Sequence, residues 1–209
     1  MHYFSTNRKS AHVSFRDAVL NGQPDDKGLY FPSEIPKLAT EFIAGLVSRS
    51  NEQIAFDVIR PYVGGEMPED VLFEICRETV DFDFPLVPIT DRISTLELFH
   101  GPTLAFKDVG ARFMSRCLRY FSRNAAVKTI VIVATSGDTG GAVATGFHGV
   151  DGVEVVILYP KGKVSRVQEL QLTTLGGNVT TLELRGLLTI VKLWQNEPSP
   201  TSICRPAFT

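Results

Sequence analysis

Three short runs constrain this chain more than anything else in it. KTIVIVA (128–134) and VEVVILY (153–159) are apolar and rich in β-branched residues, and VTTLEL (179–184) reads as a further strand. Between them lie segments of helical character, GAVATGFH and a stretch from about Val164 to Leu175 that Gly176 and Gly177 stop. Short apolar runs without a polar face suit parallel strands buried on both sides. Parallel neighbours need crossover connections, so the alternation predicts βαβ units and part of an open parallel sheet. STLELF (94–99) alternates like one more strand.

Before about Pro85 the chain has a different texture, and residues 1–85 read as a mainly helical portion. VSFRDAVLNG forms one amphipathic helix ending at Gly22, and turn residues at 21–28 lead to the apolar LYFP. Pro36 opens an expected helix with Leu38, Phe42, Ile43, Leu46 and Val47 on one stripe. A second is expected over 53–62 with Ile54, Val58 and Ile59 buried. A third follows Pro68, with Glu69 and Asp70 in its first turn and Val71, Leu72, Ile75 and Cys76 facing inward. Residues 86–186 form the α/β domain, and 187–209 an atypical tail.

The formal net charge of −2 gives no reason to expect nucleic acid or an anionic membrane as partner. Three widely spaced cysteines, Cys76, Cys117 and Cys204, support neither a disulfide framework nor a metal site, and Cys76 and Cys117 read as reduced core thiols. The opening MHYFSTNRKS has no signal-peptide pattern and no run reaches membrane-spanning length, so a cytoplasmic protein is the expectation.

Two stretches carry chemistry. HGPTLAFKDVGARF (100–113) turns at Gly101-Pro102 and enters a helix whose apolar positions are Phe106, Val109, Phe113, Cys117 and Phe121. Lys107 stands in its first turn, near the positive end of the helix dipole and beside Phe106. Both neighbours favour a free amine, as carbonyl chemistry requires, and Asp108 opposes them. Thr135 to Gly141, TSGDTGG, follows the strand at 128–134, where open α/β sheets bind ligands. Its glycines allow close backbone approach, the helix start offers unpaired N–H groups, and Ser136 and Thr139 add hydroxyls; a carboxylate or phosphate fits. The same glycines also serve a tight strand-to-helix turn. The loop is neither a Walker A motif nor a dinucleotide fingerprint. His100, and Lys161 with Lys163 at a neighbouring strand end, are weaker candidates.

Taken together, HGPTLAFKDVGARF, ATSGDTGGA and YPKGKVSRVQELQLTTLGGNV resemble threonine synthase, a family of the tryptophan-synthase-β-like group that uses pyridoxal 5′-phosphate. YFSTN, SFRDAVLNG and GLYFP agree, and the likeness covers about residues 1–186. It implies that Lys107 links to the cofactor aldehyde and later shuttles protons, with Phe106 and Asp138 at the cofactor. Ser136, Gly137, Asp138, Thr139 and Gly140 would hold the substrate carboxylate. The implied reaction converts O-phospho-L-homoserine and water to L-threonine and phosphate, with no metal. A serine/threonine dehydratase of the same fold, and a non-catalytic fragment or small anion-binding module, are the alternatives.

After Arg185-Gly186 the likeness stops. Read one base earlier, codons for Leu188–Trp194 can encode Phe-Asp-Asp-Cys-Gln-Ala-Leu, which resembles what the family places there, so the tail is expected to be out of frame. The parts of the family that grip the cofactor phosphate and face its ring nitrogen lie beyond this chain's match. Weak or absent cofactor retention, loss of activity in this short form and a tendency to aggregate are expected.

Overall fold

The computed structural model describes residues 1–185 and the backbone of 203–204. The expectations for the tail from Leu187 onward otherwise lie outside the described residues. The chain divides into two compact units, one over Met1–Asp81 and one beginning at Phe82.

In the first unit, β1 (Tyr3–Ser5) pairs antiparallel with β2 (Tyr30–Pro32), and α1 (Phe15–Asn21) lies between them in sequence. Ser14 caps α1 through the amide of Asp17, and Glu66 accepts from the amides of Phe15 and Arg16 at 3.0 and 2.8 Å. A carboxylate there meets both the orphan donors and the positive end of the helix dipole. The core comes from α3 (Asn51–Val63) and α4 (Glu69–Thr79), after a short α2 (Thr40–Ala44). Val63, Met67, Leu72, Ile75 and Cys76 are buried, and the Tyr3 hydroxyl donates to the Tyr62 carbonyl at 2.9 Å.

Two helix expectations need correcting. No helix starts at Pro36: α2 runs five residues to Gly45 and gives way to a 3₁₀ turn at Leu46–Ser48. Its apolar stripe is not a core face, since Leu38, Ile43 and Val47 are all exposed. In α3, Ile54, Val58 and Ile59 are half-buried, and Val63 is the residue that enters the core.

The second unit opens with an antiparallel hairpin, β3 (Leu86–Thr90) and β4 (Ile93–Leu96), whose apolar residues are largely exposed. It continues through α5 (Lys107–Ser122), β5 (Thr129–Ala134), α6 (Asp138–Phe147), β6 (Val153–Pro160), α7 (Arg166–Thr173) and β7 (Val179–Leu184). The strands β5, β6 and β7 are parallel, with Ala134 opposite Leu158 and Leu158 opposite Leu182. Their order is β7-β6-β5, and β8 (Ile203–Cys204) follows β5 in that order. The expected parallel sheet is present, and both carboxyl ends that matter, after Ala134 and after Pro160, open on one edge.

The buried face of α5 also differs from the expected stripe. Asp108, Ala111, Ser115, Leu118 and Ser122 face inward with Cys117, whereas Phe106 is exposed and Val109, Phe113 and Phe121 are half-buried. Small residues win this face because α6 approaches closely. A Cβ on Gly146 would stand only 3.2 Å from the Ala111 backbone, and Arg116 Nη1 donates to the Gly146 carbonyl at 3.0 Å. Larger side chains would hold the two helices apart.

Candidate active site at the strand edge

The lysine turn is built by the residue that follows the lysine. Asp108 lies 2 % exposed, and its two oxygens accept from the Thr103 amide at 2.9 Å and the Thr103 hydroxyl at 2.5 Å. This clamp folds residues 101–106 back over the start of α5. Leu104 takes a left-handed φ of 59°, its amide donating to the Gly101 carbonyl. A leucine there costs about 1–2 kcal/mol, which a buried charge-assisted pair offsets at roughly 1.5–3 kcal/mol. Asp108 is therefore turned toward Thr103 and shapes the turn that precedes Lys107.

Lys107 is the first residue of α5 and is half-buried, its Nζ 5.1 Å from the centre of the Phe106 ring. His100 is engaged elsewhere: its Nε2 lies 2.7 Å from Glu97 Oε2, and its ring stacks on Phe99. Lys161 pairs with Glu183 at 3.1 Å, and Lys163 stands exposed on the turn after β6.

The second stretch is organised by Thr135, which the sequence reading left unassigned. Its buried hydroxyl accepts from the amides of Gly137 and Gly140 at 3.1 and 2.9 Å, while the Thr135 amide continues the sheet onto Leu158. Gly137 adopts a φ of 152°, open to glycine and strained for other residues. The helix begins at Asp138, three residues earlier than GAVATGFH suggests, so Asp138 and Thr139 form its first turn.

Of the two purposes open to the glycines, the packing of neighbouring side chains bears on the structural one. A Cβ on Gly140 would meet Leu172 of α7 at 2.9 Å, and one on Gly141 would meet Gln171 Oε1 at 3.0 Å. They admit neighbouring side chains of the protein, and the amides of Gly137, Gly140 and Gly141 are all bonded internally. The donors left without an acceptor among the described residues are the amides of Ser136, Asp138 and Thr139 and the hydroxyls of Ser136 and Thr139. Unmatched amides at a helix N-terminus, flanked by hydroxyls, fit an anionic group.

One side chain spans the two stretches. Gln171 Nε2 donates to the Thr103 carbonyl at 3.4 Å, while its Oε1 lies against Gly141. The structure thus brings the lysine turn and the glycine loop to the same side chain of α7. Lys161 and Lys163 lie on the same sheet edge, and His100 stays with Glu97.

Comparison with known proteins gives consistent findings. The family model described as "Threonine synthase N terminus" matches residues 2–80. Threonine synthase of Escherichia coli (strain K12) is 38% identical over 186 residues, which cover 89% of this chain and 43% of that protein. The Haemophilus influenzae threonine synthase is 41% identical over 187 residues, covering 88% of this chain and 42% of the relative. Among solved structures, PLP-bound threonine synthase from Brucella melitensis superposes with a TM-score of 0.85 at 36% identity, over 94% of this chain and 45% of that one. Threonine synthase from yeast gives 0.87 at 33% identity, over 99% of this chain and 46% of the other. The chain spans less than half the length of each relative.

Proposed function

Because the chain belongs to the threonine synthase family, we propose that it carries the amine-bearing and carboxylate-binding part of a pyridoxal-phosphate site that converts O-phospho-L-homoserine and water to L-threonine and phosphate. The observation that supports this most is that Gln171 touches both the Thr103 carbonyl, in the turn that leads to Lys107, and Gly141, in the loop whose donors are unmatched. Pyridoxal phosphate supplies an aldehyde that an amine captures and a ring that accepts electron density from bonds broken at substrate carbon. The residues present fit that group: the donors at 136–139 suit a carboxylate or phosphate, and an amine opens the adjoining helix.

In this reading Lys107 captures the cofactor and afterwards holds and returns protons at its Nζ, beside Phe106. The amides of Ser136, Asp138 and Thr139, with the Ser136 and Thr139 hydroxyls, orient the substrate carboxylate. Gly137 and Gly140 contribute by shape, since their own amides are committed to Thr135. Asp138 takes a polar position at the cofactor with the carboxylate oxygen that Gln168 does not engage. The substrate is a small molecule and the enzyme a cytoplasmic one; no helix among the described residues is long and apolar enough to cross a membrane.

The test is release of inorganic phosphate from O-phospho-L-homoserine at saturating pyridoxal phosphate. The reading predicts release above that of a Lys107→Ala variant, accompanied by threonine. Equal release from both proteins contradicts it, and conversion of threonine without phosphate chemistry points to a dehydratase.

A further inference from the structure

The helix after β6 carries two glutamines one turn apart, and each reaches a different motif. Gln168 uses both ends of its amide. Its Oε1 accepts from the Ser165 amide at 3.1 Å and the Ser165 hydroxyl at 2.9 Å, closing a capping box at the start of α7. Its Nε2 donates to Asp138 Oδ1 at 2.6 Å. The same amide packs on Gly137, where a Cβ would lie 2.6 Å from Gln168 Cδ. Gln171 spans the Thr103 carbonyl and Gly141 as described above, and Leu172 between these contacts is buried against Gly140.

The connections form a continuous path. Asp108 is bonded to Thr103, Thr103 to Gln171, Gln171 shares α7 with Gln168, and Gln168 is bonded to Asp138. At one end stands the residue after Lys107, and at the other the first turn of the anion-binding loop. Neither glutamine is needed to form the helix itself beyond the cap, because many residues propagate a helix equally well.

Resting on the function proposed above, we infer that Gln168 and Gln171 are positioning residues that set the separation between the Lys107 amine and the donors at 136–139. Gln168 fixes the loop through Asp138, and Gln171 fixes the lysine turn through Thr103. Their effect falls on cofactor capture and on the order of the two loops, and the reacting atoms themselves touch neither side chain.

Gln168→Glu separates the glutamine's two roles. Glutamate still accepts from Ser165 and keeps the cap, but it cannot donate to Asp138 and sets two carboxylates together. A second variant, Gln168→Glu with Asp138→Asn, restores a donor and acceptor pair in reversed order. Gln171→Leu removes the bond to Thr103 while keeping the helix propensity. Two readouts are used on the full chain. One is the rate of pyridoxal phosphate capture at Lys107, fixed by borohydride and mapped by peptide mass. The other is amide hydrogen exchange of the cofactor-free protein over residues 100–107 and 134–141.

The inference predicts a roughly tenfold fall in capture for Gln168→Glu, the size expected when a bond to a charged group is lost. It also predicts faster exchange confined to 134–141, and recovery of that exchange in the double variant. Gln171→Leu should quicken exchange at 100–107 and slow capture. Unchanged capture and exchange in both single variants, with Lys107 still labelled in the parent, overturns the inference alone. Failure of the double variant to recover the exchange at 134–141 overturns it also. Absence of label at Lys107 in the parent protein instead overturns the proposed function.

Discussion

Two loops of this protein are each organised around one buried or half-buried oxygen-bearing side chain, and they spend their hydrogen-bond donors in opposite ways. In the N-terminal unit, Asp26 accepts from the Ser5 hydroxyl at 2.5 Å, the Gly28 amide at 3.0 Å and the Lys9 amide at 2.8 Å. Its own carbonyl takes the side chain of Asn7. Those donors all point inward to one carboxylate, leaving a closed knot. At 135–141, Thr135 takes only Gly137 and Gly140, and the donors of Ser136, Asp138 and Thr139 have no acceptor among the described residues. A loop that satisfies itself is scaffold. One that rigidifies its glycines and leaves a cluster of donors has the chemistry an anion requires, which is the role proposed for it.

The largest expected effect comes from removing the organiser of the open loop. Thr135→Val leaves the buried amides of Gly137 and Gly140 without an acceptor, costing about 1–3 kcal/mol. Denaturant unfolding should show that loss, and capture at Lys107 should fall with it. An unchanged midpoint would mean the loop does not depend on Thr135.

The closed knot should respond to acid. Burial pushes the Asp26 carboxyl up, but the bonds from Ser5, Gly28, Lys9 and Ser10 outweigh it and hold the group at about 2, against an ordinary 3.8. Since the folded value is the lower one, its contribution is complete above about pH 4 and disappears as pH falls toward 2. Asp26→Asn should be less stable than the parent at neutral pH, with the gap closing across that window. A gap that stays constant with pH would show that the carboxylate's charge is not what the loop uses. Capture at Lys107 should be unaffected by this substitution.

The sharpest contrast between the loops comes from small truncations. Ser136→Ala and Thr139→Ala remove hydroxyls that bond nothing among the described residues, so stability should move by less than about 0.5 kcal/mol. Binding of inorganic phosphate should nonetheless weaken severalfold. A stability loss without a binding loss would make the open loop a scaffold like the other.

The smallest effect expected is chemical. Burial pushes the Cys76 thiol up to about 11, so at pH 8 it should alkylate slowly in the folded protein and quickly in denaturant. Rapid modification of the folded chain would show that the packing of α3 on α4 opens readily.

Much of this organisation is written in short stretches of sequence. The strands at 153–159 and 179–184 are legible because their residue types and turn signals are local. So is the helix expected from about Val164 to Leu175, which runs over Arg166–Thr173. The segment 36–47 misleads because periodicity registers apolar residues without saying whether anything covers them, and Gly45 interrupts the helix. The β3–β4 hairpin escapes notice in part because its apolar residues face outward. At the site, Lys107 and the donor loop stand out by composition. Asp108 bonding to Thr103, Thr135 gathering two amides, and the glutamines of α7 do not, because each depends on a turn or on packing between elements.

The central proposal is that the amine at position 107 and the unmatched donors of 136–139 serve one site. Treating the chain with pyridoxal phosphate and borohydride, digesting it and mapping the pyridoxyl group tests this directly. The account predicts label at Lys107, competed by inorganic phosphate and absent from Lys107→Ala. Label spread over exposed lysines such as Lys161 and Lys163, with no enrichment at Lys107 and no competition, would contradict it.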